Sequence, residues 1–154
     1  MSSTTEAAWL LDVNALIALI APGHVHHEGM HRWFTANSPA GWATCPIAEN
    51  GAIRIMSQPS FAAGPYDPAE VIDVLRELWR KHAKSHHFWP DEVSLTDDTL
   101  FHADRITSHK HVTDAYLLGL AAKHGAKLVS FDRTLPWQAI RNGTAWLVES
   151  PLLQ

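Results

Sequence analysis

Short apolar runs alternating with helix-start and helix-stop signals predict an α/β domain built on a mostly parallel sheet. The runs are strand-length, and several end abruptly on an acid or a proline. The first, Ala7-Ala8-Trp9-Leu10-Leu11, ends on Asp12. Ala15–Ala21 follows as a short buried helix, stopped by Pro22-Gly23. Gly41-Trp42-Ala43-Thr44-Cys45 is the second run, and Pro46 then opens a helix with Glu49 in its first turn. Gln58 to Pro68 is rich in Gly and Pro and reads as a loop inside the domain. Asp67-Pro68-Ala69-Glu70 combines an N-cap, a proline at N1 and an acid at N3, ahead of an apolar face of Val71, Leu75, Leu78 and Trp79. Thr113 is placed to cap a helix over 114–124, which Gly125 stops. Ala126–Phe131 ends on Asp132, and Ala145–Val148 is the fourth run.

Size and composition fit this picture. At 154 residues, with 46% hydrophobic and 18% charged residues, the chain is expected to be one domain over residues 1–154. It has enough apolar matter for a core of its own. Its single cysteine, Cys45, provides neither a disulfide framework nor a multi-cysteine zinc site. The longest early apolar run, Ala15–Ala21, is far below the ~20 residues of a membrane span. No basic segment marks it as a signal peptide. A soluble, cytoplasmic protein is expected. Twelve basic against sixteen acidic side chains give a net charge of −4, the wrong sign for gripping nucleic acid through surface charge alone. Any such activity must import positive charge, and metal ions are the obvious source.

In parallel α/β sheets ligands gather beyond the carboxyl ends of the strands. Asp12 and Asp132 close strands, Glu49 opens a helix just past one, and Asp114 starts another helix. Four acids from distant parts of the chain are thus expected on one sheet edge. Carboxylates held together repel, so some stay protonated unless a cation intervenes. Mg²⁺ or Mn²⁺ takes oxygen ligands of this kind and keeps waters for chemistry. On the same ground, neutralising Asp132 to Asn is expected not to lower the melting temperature of metal-free protein.

The residues around these acids carry a resemblance. Leu10-Leu11-Asp12-Val13-Asn14-Ala15, Pro46-Ile47-Ala48-Glu49-Asn50-Gly51, Val112-Thr113-Asp114-Ala115-Tyr116-Leu117 and Leu128-Val129-Ser130-Phe131-Asp132-Arg133 are similar to the four acidic motifs of the PIN domain. More narrowly they resemble the VapC toxins of bacterial toxin–antitoxin pairs. The resemblance implies a three-layer α/β/α sandwich around a parallel sheet, and an endoribonuclease using Mg²⁺ or Mn²⁺. By position, Asp12, Glu49, Asp114 and Asp132 would be both the catalytic and the metal-binding quartet. Asn14 and Ser130, two residues from acids, are candidates for hydrogen bonding to a ligand or water. The implied partners are an RNA substrate and a cognate small antitoxin that obstructs the site. A homodimer is left open, and no membrane is involved. Setting the quartet aside leaves twelve acidic side chains against twelve basic, so bound cations would turn a repulsive pocket into a phosphate-binding one.

Eleven histidines raise a rival reading. His24, His26, His27 and His31 form one group; His82, His86 and His87 form another. Neither has the H-E-x-x-H arrangement of a hydrolytic zinc helix. A metal-independent ribonuclease would use two histidines as acid and base on the RNA 2′-hydroxyl. A phosphatase of the haloacid-dehalogenase type wants an Asp where Asn14 stands. A third class is a non-catalytic binding module whose acids hold a structural ion. In it, Trp33 with Phe34, and Leu75 with Leu78 and Trp79, would form a groove for an apolar partner segment.

Overall fold

A computed structural model describes residues 7–62 and 64–152. Residues 1–6, Ala63 of the 58–68 loop, and residues 153–154 of the domain expected over 1–154 lie outside them. The described strands are β1 (Trp9–Leu11), β2 (Trp42–Thr44), β3 (His86–Phe88), β4 (Lys127–Val129) and β5 (Val148–Glu149). They form one sheet in the order β3-β2-β1-β4-β5, with every neighbouring pair parallel. The helices are α1 (Val13–Ile20), α2 (His27–Asn37), α3 (Pro46–Met56), α4 (Pro68–Lys81) and α5 (Val112–Lys123).

Adjacent residues of each central strand point to opposite faces, and each face has its own core. Leu10, Ala43 and Leu128 pack with Leu117, Leu120 and Ala121 of α5. Leu11, Trp42 and Val129 pack with Leu16 and Ile17 of α1, Met30 and Trp33 of α2, and Val71 and Leu75 of α4. These strands are covered on both sides, which is why they read as continuous apolar runs rather than alternating ones. The result is the three-layer α/β/α sandwich.

The helix signals mostly hold. Asp12 caps α1, its Oδ1 accepting the Ala15 N–H at 2.7 Å. Pro46 is the first residue of α3. The Glu70 carboxylate accepts the Asp67 N–H at 3.0 Å at the start of α4. Gly125, at φ +68°, ends α5 in a conformation that costs glycine little.

Four expectations change. Thr113 is not a cap: α5 begins two residues earlier than expected, at Val112, with His111 at the N-cap position and no side-chain cap bond. The fourth run is a strand only from Val148, because the Thr144 hydroxyl accepts the Trp146 N–H and winds Ala145–Leu147 into a 3₁₀ turn. β3 was hidden inside a histidine-rich stretch with no apolar run. Finally, the expected apolar groove is largely filled: Trp33, Phe34 and Leu75 are 1%, 5% and 3% exposed, while Leu78 and Trp79 are half-buried and pack against the same core. The first three belong to the core beneath α2 and α4.

One close approach is decisive for packing. A Cβ on Gly119 of α5 would lie 2.2 Å from Cζ of the buried Phe101 ring. Gly119→Ala gains up to about 1 kcal/mol of helix propensity, whereas overpacking costs about 1–3 kcal/mol. The substitution is expected to lower the melting temperature; a rise would show that Phe101 moves aside freely.

Candidate active site

The strand order reverses at β1: the chain runs outward to β2 and β3 on one side, and to β4 and β5 on the other. The crevice past the carboxyl ends of β1 and β4 is therefore the place where a parallel sheet opens to a ligand. Asp12 follows β1 directly, and Ser130-Phe131-Asp132 follows β4. Asp114 lies in the first turn of α5, and Glu49 in the first turn of α3. Asp12, Glu49 and Asp114 thus sit at helix N-termini, where the peptide dipoles favour negative charge.

Asp12 is the buried member, 5% exposed. Loss of water around its carboxyl pushes its pKa up to about 6, and the charges of Asp114 and Asp132 push the same way. Hydrogen bonds from Ser130 and from the Ala15 N–H oppose the rise. Asp114 is raised by burial and then by Asp132, with His111 pulling it down. Asp12, Asp114 and Asp132 are therefore brought within electrostatic reach of one another. His111, three residues before Asp114, acts on both Asp114 and Asp132. It was absent from the histidine groups singled out by sequence; its place at the α5 N-cap, one turn before an acid, was the signal available.

Asp132 behaves otherwise than a merely repelled carboxylate. Its Oδ1 accepts the Thr134 N–H and hydroxyl, both at 2.7 Å, and these bonds hold its pKa below the usual range. This local turn offsets the repulsion, so Asp132→Asn loses the expectation of a neutral or raised melting temperature. Ser130, 1% exposed, bonds Asp12 and accepts the Asp132 N–H at 3.1 Å, tying the two acids' segments together. Asn14 is exposed.

Glu49 stands apart from this trio. Burial raises its pKa, and a 2.7 Å bond from the Thr44 hydroxyl to its Oε2 lowers it. None of the other three acids is among the causes of its shift. Thr44 ends β2 and is fully buried. Nearby, the Tyr116 hydroxyl donates to Asp91 at 2.9 Å.

The first histidine group has a structural use. The His27 Nδ1 and His31 Nε2 atoms lie 2.7 and 2.8 Å from the carbonyl oxygens of Ala18 and Leu19, the last turn of α1, whose orphan carbonyls they satisfy. His26 stacks on Phe131, with ring centroids 4.5 Å apart.

Among the described residues, no three acidic, histidine or cysteine side chains form a ready-made metal cage. The donor chemistry nonetheless fits a small hard cation. Asp12, Asp114 and Asp132 offer only oxygens, and their mutual repulsion is relieved by positive charge. Mg²⁺ is commonly held through one or two carboxylates, with water and phosphate completing its shell.

The family model that matches the chain is the PIN domain, over residues 9–139. Ribonuclease VapC44 of Mycobacterium tuberculosis is 41% identical over 135 residues, covering 88% of this chain and 93% of that protein. Ribonuclease VapC39 of the same organism is 45% identical over 126 residues, covering 82% and 89%. Ribonuclease VapC38 is 44% identical over 126 residues, covering 80% and 84%.

Proposed function

The chain belongs to the PIN-domain family, in its VapC branch, and on that premise we propose that it is a divalent-metal-dependent endoribonuclease, the toxin of a toxin–antitoxin pair. The observation that carries this reading is the electrostatic convergence of Asp12, Asp114 and Asp132 at the switch point of the sheet. Relatives named as ribonucleases support the reaction class.

Asp12, Asp114 and Asp132 would hold Mg²⁺ or Mn²⁺, with Glu49 as the fourth acid of the site. Held there, such an ion would supply positive charge against the scissile phosphate and lower the pKa of a bound water. The chain's own residues prepare the place. Asp12 is fixed by the α1 cap and by Ser130. Asp132 is fixed by Thr134. Asp114 is carried on the rigid start of α5. His111 adds a hydrogen-bond donor within electrostatic reach of Asp132 and Asp114. The chain works in the cytoplasm with RNA as substrate, and a small cognate antitoxin silences it. Among the described residues, no helix is long and apolar enough to cross a membrane.

Purified protein incubated with RNA is expected to cleave it with Mg²⁺ or Mn²⁺ and to stop with EDTA. Attack by water leaves 5′-phosphate and 3′-hydroxyl ends, whereas a histidine pair using the RNA 2′-hydroxyl leaves cyclic 2′,3′-phosphate. Cyclic ends formed in EDTA would overturn the metal mechanism. Absence of both cleavage and growth inhibition would overturn the toxin reading.

A further inference from the structure

We propose that His86 is a positioning residue for Glu49, acting through the hydroxyl of Thr44. The inference rests on the assignment of Glu49 to the nuclease site. Thr44 Oγ1 donates to Glu49 Oε2 at 2.7 Å and lies 2.8 Å from His86 Nε2. A hydroxyl has one proton. Spent on the carboxylate, it leaves only a lone pair facing His86, so His86 Nε2 must carry the hydrogen and donate. The three groups form a one-way chain from imidazole N–H to hydroxyl to carboxylate.

The fold holds this chain rigidly. β2 and β3 are parallel, with Trp42 opposite His86, so Thr44 lies diagonally across on the same face. The His86 ring lies flat on Trp79, at 4.0 Å and 2°, with Trp42 at 4.5 Å on another side. Burial, with His87 and His82 nearby, lowers the His86 pKa to about 4, so the ring is neutral at neutral pH. Glu49 Oε1 has no partner among the described residues. One oxygen is thus pinned from behind and the other is left available. A partner that orients a ligating carboxylate in this way is worth about 10–100-fold in metal affinity.

The test is Mn²⁺ binding to the metal-free protein by calorimetry, with long-range ¹H–¹⁵N spectra of the His86 ring. The parent is expected to show the Nε2–H tautomer. Thr44→Val and His86→Phe should each weaken Mn²⁺ binding about tenfold. Thr44→Ser and His86→Gln, which restore the hydroxyl and the donor, should recover most of it. Phe preserves stacking on Trp79 but not donation. If His86→Phe binds like the parent and His86→Gln does not, His86 acts by packing and the proposal is overturned. The opposite tautomer in the parent also overturns it. If all four variants match the parent while Glu49→Gln binds weakly, the relay falls and the nuclease site stands. If Glu49→Gln also matches the parent, Glu49 leaves the site and the relay falls with it. No Mn²⁺ binding by the parent overturns both readings.

Discussion

Asp12→Asn and Asp114→Asn are each expected to leave a folded protein that has lost RNA cleavage by at least about a hundredfold, the scale on which removing one preorganised electrostatic group acts. Asn at position 12 keeps the oxygen that caps α1, because Asn and Asp are near-equal N-caps. What it removes is the negative charge buried at the switch point. The Asp114→Asn change likewise keeps shape at the start of α5 and removes charge. RNA cleavage assays with Mn²⁺, and growth on induced expression, read the effect directly. Full activity in both variants would mean that the acids at the sheet edge do not form the reaction centre.

The same Asp12→Asn variant is expected to be more stable than the parent in the metal-free state at neutral pH. The Asp12 carboxyl holds its proton more tightly folded than unfolded, with its pKa raised from 3.8 to about 6. The stability it contributes is therefore full below about pH 4 and is lost as pH rises through about 6. At pH 7 the loss is at most about 3 kcal/mol, at 1.36 kcal/mol per pKa unit. Asn carries no such penalty, so its melting temperature should be flatter over this window. Asp114, raised by burial and by Asp132, acts in the same direction; Asp132, held low by Thr134, acts oppositely. Added Mn²⁺ should stabilise the parent more than the variant, because a ligand bound only by the native state adds stability. Thermal melts from pH 4 to 8, with and without Mn²⁺, check this. A destabilised variant at pH 7 would show that the Asp12 charge is welcomed rather than tolerated, and would sink the repulsion argument.

Local sequence alone determined the fold class and most helix starts, and it named four acids, of which Asp12, Asp114 and Asp132 come within electrostatic reach of one another while Glu49 does not join them. Strands buried on both faces are predominantly apolar, so Trp9–Leu11, Trp42 with Ala43, and Leu128 with Val129 stand out without any partner in view. Caps such as Asp12 and Asp67–Glu70 are satisfied by backbone groups three residues away, and so are written locally. β3 escaped because an edge strand shielded by Trp79 and Trp42 need not be apolar, and its histidines masked it. The groove expected from Trp33 with Phe34 and Leu75 with Leu78 and Trp79 largely closed because a helical apolar stripe does not say whether the neighbouring helix covers it; here Trp33, Phe34 and Leu75 are buried and Leu78 and Trp79 are half-covered. Asp132 looked like one more repelled acid until its turn with Thr134 was in place. Glu49 was legible as an acid but not as a partner of Thr44 and His86, which lie on two strands joined only by tertiary pairing. Residue type and spacing reveal which groups can do chemistry; only the packed chain sets which charges meet, which are shielded and which are held by a neighbour, because those energies depend on through-space distance and burial rather than on order along the chain.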